Sequence, residues 1–212
     1  MIAIIDYGMG NIRSVEKAFE LIGESTIVSN RASELKMAEA LVLPGVGAFG
    51  DAMRNLKELN LVELLADLVL DERKPFLGIC LGMQLLAERG FEHGEHKGLG
   101  LIDGRVEKLR GKDIRVPHMG WNDIEVGSAG KALFGQMAEK PSFYFVHSYC
   151  LVTDPKIEAA RCDYGETFTA AVHKENIYGV QFHPEKSQKS GQMLLKNFVT
   201  SMRTLIPKKP AC

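Results

Sequence analysis

At 212 residues, 45% hydrophobic and 25% charged, the chain suits one sizeable α/β domain better than two small ones. Its net charge of −1 gives no electrostatic case for nucleic acid or an anionic membrane. No apolar run approaches the roughly 20 residues needed to span a bilayer. The opening Met1–Asp6 turns polar too soon for a signal peptide. Four cysteines (Cys80, Cys150, Cys162 and Cys212) do not make a disulfide framework in a chain this long, so the expected setting is reducing and cytoplasmic.

In chain order, Ile2–Asp6 reads as a short apolar strand. Asn11 can cap a helix to about Ile22, with Val15, Ala18, Phe19 and Ile22 on one face. Ser25–Val28 and Ala40–Leu43 read as strands, Phe49–Leu56 and Leu61–Asp71 as helices, and Phe76–Ile79 as the fourth strand. A helix-forming stretch, Met83–Glu88, follows. Strands alternating with helices predict a parallel sheet covered on both faces. The second half changes character, with β runs at Gly104–Leu109, Trp121–Val126, Phe143–Val146, Tyr149–Val152, Thr169–Val172 and Ile177–Gln181, then a helix over Gln192–Met202. The expectation is an α/β fold: a mostly parallel central sheet flanked by helices and extended by antiparallel strands in the second half. One domain is expected over residues 1–206, with a frayed tail at 207–212. In such sheets reactive loops gather beyond the carboxyl ends of the strands, so Asp6–Asn11, Pro44–Gly47 and Gly78–Gly82 can converge.

The most informative segment is Pro75-Phe-Leu-Gly-Ile-Cys-Leu-Gly-Met-Gln84. An apolar run ends at Cys80, with Gly78 two residues before and Gly82 two residues after. That is the form of a nucleophile elbow, where a strand turns sharply into a helix and presents one side chain at the tip. The glycines remove Cβ atoms that would collide in the turn, and a helix N-terminus favours the thiolate. A lone cysteine in such a run would read as a packed core thiol; the glycine frame and a downstream base reverse that reading. The base is in Gln181-Phe-His-Pro-Glu185, where His183 and Glu185 share a face if the segment is extended. A thiol needs a base, and the base an orienting partner.

Leu43-Pro-Gly-Val-Gly47 directly follows a strand. Its backbone N–H groups, at Val46 and Gly47, together with that of Leu81, can form an oxyanion hole, although an ordinary strand-to-helix turn also fits this motif. Gly8-x-Gly10 is not a dinucleotide fingerprint, because the third glycine is replaced by Arg13 and no acid lies near Ser29 or Asn30. His93 and His96, among Glu92 and Glu95, read as a solvated loop and not a metal site. Pro117-His-Met-Gly-Trp-Asn122 holds the only tryptophan; partner contact and core anchoring both fit it.

With these residues assembled, the chain resembles the class I (triad) glutamine amidotransferases from Ile4 to about Met202. Among them it is most similar to the glutaminase subunits of imidazole glycerol phosphate synthase. The segments Gly8–Asn11, Pro44–Gly47, Pro117–Asn122, Tyr144–Tyr149 and Phe182–Ser187 carry the more specific part of the likeness. The resemblance implies a triad of Cys80, His183 and Glu185, and a glutamine pocket lined by Gly47, Gln84, Glu92, Ser148 and Tyr149. It implies a separate (β/α)8-barrel cyclase as partner, forming a heterodimer in histidine biosynthesis. Asn11, Tyr144 and Lys186, with His118, Met119 and Trp121 of the 117–122 segment, match positions at that interface. It implies further that the Gly45–Val46 peptide reorients before its N–H faces the oxyanion. The glutaminase step needs no metal or organic cofactor. Competing readings are a glutaminase serving a different synthase, a thiol peptidase or γ-glutamyl hydrolase acting alone, and a non-catalytic binding module. The 117–122 and 144–149 segments weigh against the first, and the intact Cys, His and Glu set against the last.

Overall fold

The computed structural model describes residues 1–111 and 114–205. The expected tail at 207–212, with Cys212, lies outside the described residues. The elements run β1 (Ile2–Ile5), α1 (Ile12–Glu20), β2 (Thr26–Ser29), α2 (Ala32–Met37), β3 (Ala40–Gly45), α3 (Phe49–Glu58) and α4 (Leu61–Ala66). They continue with β4 (Phe76–Cys80), α5 (Leu81–Gln84), β5 (Arg89–Gly90), β6 (His96–Lys97), β7 (Gly104–Lys108), β8 (His118–Asp123), β9 (Glu125–Val126) and α6 (Lys131–Phe134). The last are β10 (Ser142–His147), β11 (Tyr149–Thr153), β12 (Glu158–Asp163), β13 (Thr167–Lys174), β14 (Ile177–Val180) and α7 (Gln188–Leu205).

The main sheet has the order β2-β1-β3-β4-β14-β13-β12-β9. Its first five strands are parallel, and β13, β12 and β9 join antiparallel. β1, β3, β4 and β14 are buried on both faces, as parallel strands covered by helices must be, while β2 at the edge is only half-buried. Ile2 and Ile4 of β1 enter one core with Phe19 of α1 and Phe198 of α7, whereas Ala3 and Ile5 enter a second with Phe49 of α3 and Leu65 of α4. Side chains alternating at period two thus feed both layers.

The second half differs from expectation in two respects. β14, expected among the antiparallel strands, pairs parallel with β4 and antiparallel only with β13. Not every antiparallel strand extends the main sheet. β8 and β10 form a separate two-stranded ribbon, and β11-β7-β5-β6 a separate four-stranded sheet. The reason is burial: Phe143 and Phe145 of β10 pack into the core that holds Phe182, while Val106 of β7 and Leu151 of β11 pack into the opposite one. Each ribbon covers apolar surface that edge pairing would leave in water.

Smaller differences also have local causes. Leu61–Asp71 is not one uniform helix, because α4 gives way to a π-helical turn over Asp67–Asp71. α2 has a single buried residue, Leu35, and so no readable stripe. β12 is alanine-rich and bulged, with weak strand propensity. The stretch expected as helix at 83–88 is the single turn α5, which starts earlier, at Leu81. Among the described residues no helix is long and apolar enough to cross a membrane.

Candidate active site

β1, β3, β4 and β14 are parallel, so the segments leaving them emerge at one end of the sheet. β4 ends at Cys80, which has φ 55° and ψ −109°. A non-glycine residue held there stores roughly 1–3 kcal/mol of strain. The flanking glycines permit it. A Cβ on Gly78 would lie 2.5 Å from the Gly82 carbonyl oxygen, and one on Gly82 would collide with the Leu43 carbonyl. The turn leaves Cys80 only 6% exposed, lining a cavity of about 280 Å³.

Val46, Gly47, Leu81, Gln84, Glu92, Ser148, Tyr149 and His183 line the same cavity. These are the residues singled out in the sequence for the oxyanion hole and the pocket, together with the candidate base. Glu185 stands behind His183, its Oε1 2.7 Å from His183 Nδ1, and both side chains are buried. Their meeting does not come from an extended segment: Pro184–Lys186 is a 3₁₀ turn, entered from His183 in extended geometry. Proline, with its φ preset, opens the turn and swings Glu185 back under the ring.

His183 is fixed from outside its own segment. Its N–H donates to Tyr144 O (2.9 Å), and the Ser187 hydroxyl donates to His183 O (2.6 Å) while accepting from Tyr144 N–H (3.0 Å). Phe182 stacks on Phe143, ring centres 3.9 Å apart. Burial by itself lowers the basicity of the imidazole, but the adjoining Cys80 and Glu185 outweigh it and raise its pKa above the usual histidine value. The site therefore favours a protonated ring.

Glu92 Oε2 accepts from the Phe49 N–H (2.8 Å), tying the cavity rim to the start of α3, directly after the Val46–Gly47 loop. Gln84 Nε2 donates to Tyr149 O (2.8 Å) and to Gln181 Oε1 (3.0 Å). Both of its amide protons are thus committed, and Gln84 offers a ligand only its oxygen. Val146, His147 and Pro117 also line the cavity; they lie in the segments 117–122 and 144–149 singled out in the sequence, but nothing there assigned them to the pocket. His147 Nδ1–H donates to Tyr149 O (2.9 Å), which leaves Nε2 to accept from His118 Nδ1–H (3.1 Å). Burial lowers the pKa of His147 to about 3 and that of His118 to about 4, so both rings are neutral near pH 7.

The expected interface residues lie outside the cavity. Met119 and Trp121 are 62% and 48% exposed on β8. Trp121 meets Tyr144 edge-on at 6.3 Å between centres, and Lys186 Nζ is 5.8 Å from the Tyr144 ring centre. Asn11 precedes α1, which packs against the Pro184–Lys186 turn. His118 differs from these: it is buried, stacked against Tyr164 and Phe145. Its ring anchors the core, while the residues after it alternate toward solvent. Among the described residues no cluster of His, Cys, Asp and Glu could hold a metal ion.

Known proteins resemble the chain in sequence and in fold. Residues 3–202 match the family "Glutamine amidotransferase class-I". The chain is 47% identical to an imidazole glycerol phosphate synthase subunit HisH 1 of Campylobacter jejuni, covering 94% of this chain and 99% of that one. It is 50% identical to the subunit HisH of Aquifex aeolicus, over 92% of this chain and 94% of the other. A crystal structure of a glutamine amidotransferase superposes with a TM-score of 0.75, at 18% identity, over 96% of this chain and all of that chain; this likeness speaks to the fold. The chain belongs to the class I glutamine amidotransferases, within the HisH family of imidazole glycerol phosphate synthase subunits.

Proposed function

We propose that the chain hydrolyses glutamine to glutamate and ammonia and passes the ammonia to a (β/α)8-barrel cyclase bound on the Trp121–Tyr144 face. The observation that carries this reading is the strained Cys80, opening on one cavity with His183, whose Nδ1 is tied to Glu185.

Cys80 thiolate attacks the side-chain amide carbon of glutamine. The tetrahedral oxyanion is held by the N–H of Leu81 and an N–H of the Val46–Gly47 loop. Losing one such donor costs roughly 3–4 kcal/mol of barrier. His183, oriented by Glu185, protonates the departing nitrogen, which leaves as ammonia. Water activated by the now neutral His183 then cleaves the thioester and releases glutamate. The Gln84 oxygen and the Glu92 carboxylate present acceptors suited to the α-ammonium group of the substrate, and Ser148 presents a hydroxyl to its carboxylate.

Ammonia released into water near pH 7 would be protonated and lose its nucleophilicity, so it needs a sheltered route to a partner. The exposed Met119 and Trp121 and the half-buried Tyr144, with Lys186 and Asn11, form the docking face, and β8 carries His118 behind it. In the complete heterodimer the ammonia meets a phosphoribulosyl-formimino aminoimidazole carboxamide ribonucleotide. The products are imidazole glycerol phosphate and aminoimidazole carboxamide ribonucleotide, in the cytoplasm. The test is glutamate release by the purified chain, alone and with the cyclase and its ribonucleotide. Low release alone and a strong rise in the ternary mixture support the reading. High release alone, unaffected by the cyclase, keeps the hydrolase and removes the partner.

A further inference from the structure

A helix N-terminus was expected to sustain the Cys80 thiolate, but α5 is a single turn, and four peptide units make a weak dipole. Another donor faces the sulfur. Gln181, directly after β14, is completely buried, and no step of the mechanism uses it. Its Nε2 lies 3.7 Å from Cys80 Sγ.

The orientation of this amide is forced by its neighbours. Tyr149 O is a backbone carbonyl and can only accept, so Gln84 must turn its nitrogen toward it. The second proton on that nitrogen then points at Gln181, which must answer with its oxygen. The Gln181 nitrogen is left facing the sulfur. Turned the other way, it would set nitrogen against nitrogen at Gln84 and oxygen against sulfur at Cys80. On another side of the thiol, Val146 O is 3.8 Å from Sγ and accepts the S–H proton. The two contacts therefore favour opposite states: the carbonyl suits the thiol, and the amide suits the thiolate.

We infer that Gln181 is a positioning residue for the nucleophile: its amide, turned by Gln84, donates a hydrogen bond to the Cys80 sulfur and stabilises it as thiolate at the mouth of the cavity. The inference rests on reading Cys80 as the nucleophile. The other titratable groups beside this sulfur are His183 with Glu185 behind it and Tyr7 after β1, while His147, Tyr149 and Glu92 line the same cavity. All of them stay in place when only residue 181 is changed.

The test is the pH dependence of Cys80 alkylation by iodoacetamide in the full chain, read as the mass of the Cys80 peptide, so that the other cysteines do not count. No glutamine or partner is needed, so the result is independent of whether the chain makes glutamate. Gln181→Met removes the donor at similar volume. Gln181→Glu keeps the acceptor for Gln84 and puts negative charge beside the sulfur. The expected midpoint rises by about one pH unit in Gln181→Met, equivalent to about a tenfold slower reaction at neutral pH, and by more in Gln181→Glu. Gln84→Met, which frees the amide to turn, gives a smaller rise. In the complex with the cyclase, kcat for glutamine falls about tenfold with KM nearly unchanged, and the loss shrinks as pH rises. Unchanged midpoints in whichever of these variants fold overturn the inference, as does a loss confined to KM.

Discussion

Cys80 ends β4 and His183 follows its hydrogen-bonded neighbour β14, and yet they are held by different means. The nucleophile is set by backbone sterics. Gly78, Gly82 and the Leu43 carbonyl crowd so closely that the chain accepts a positive φ at Cys80. The base is set by hydrogen bonds from a distant strand, through Tyr144 and Ser187, and by the carboxylate two residues on. A sterically set residue leaves its mark in adjacent sequence, whereas one set by a network leaves little. The two also fail differently: the first should lose the fold when disturbed, the second only its chemistry.

The largest effect should come from Gly82→Ala. The new Cβ meets backbone on β3, which cannot swing aside, so the variant should lose about 3 kcal/mol or more, read from urea unfolding. A loss below 1 kcal/mol would mean that the elbow yields easily and would erase the contrast. Glu185→Gln should leave stability nearly intact and lower kcat about 100-fold or more, because the ring loses its orienting anion. Full activity would remove Glu185 from the triad.

The smallest effect concerns the acid side of the stability profile. His118 and His147 fold with lowered pKa values, about 4 and about 3. The unfolded chain therefore binds protons first. Their contribution is present above about pH 6.5 and is lost as pH falls toward 4, by up to about 1.4 kcal/mol per pH unit for each ring. His118→Phe keeps the stack on Tyr164 but strands His147 Nε2, so at pH 7.5 it should be less stable by about 1 kcal/mol. By pH 5 the difference should narrow or reverse. Parallel profiles in urea unfolding would show that His118 does not titrate with folding.

β1, β3 and β4 were legible because they are apolar runs buried on both faces, whereas the parallel pairing of β14 with β4 was not, since β14 follows the antiparallel strands in the chain. The elbow was legible because the cysteine and its glycines are adjacent. His183 and Glu185 were legible as a pair but not in their geometry, since proline sets a 3₁₀ turn in place of an extended segment. The placement of β7, β8, β10 and β11 was not legible: alternation shows that one face is buried but not against which layer. His118 was ambiguous for the same reason, and only its contacts with Tyr164 and Phe145 assign it to the core. Gln181 could not be found at all, since its role depends on three contacts made in the fold and no local pattern announces them.

The most direct measurement is covalent capture of the nucleophile by a glutamine analogue carrying a reactive ketone in place of the side-chain amide, read by mass spectrometry in the complex with the cyclase. The account predicts a single adduct on Cys80, formed far more slowly in His183→Ala and absent in Cys80→Ala. No adduct, or one on Cys150 or Cys162 at a comparable rate, would contradict it.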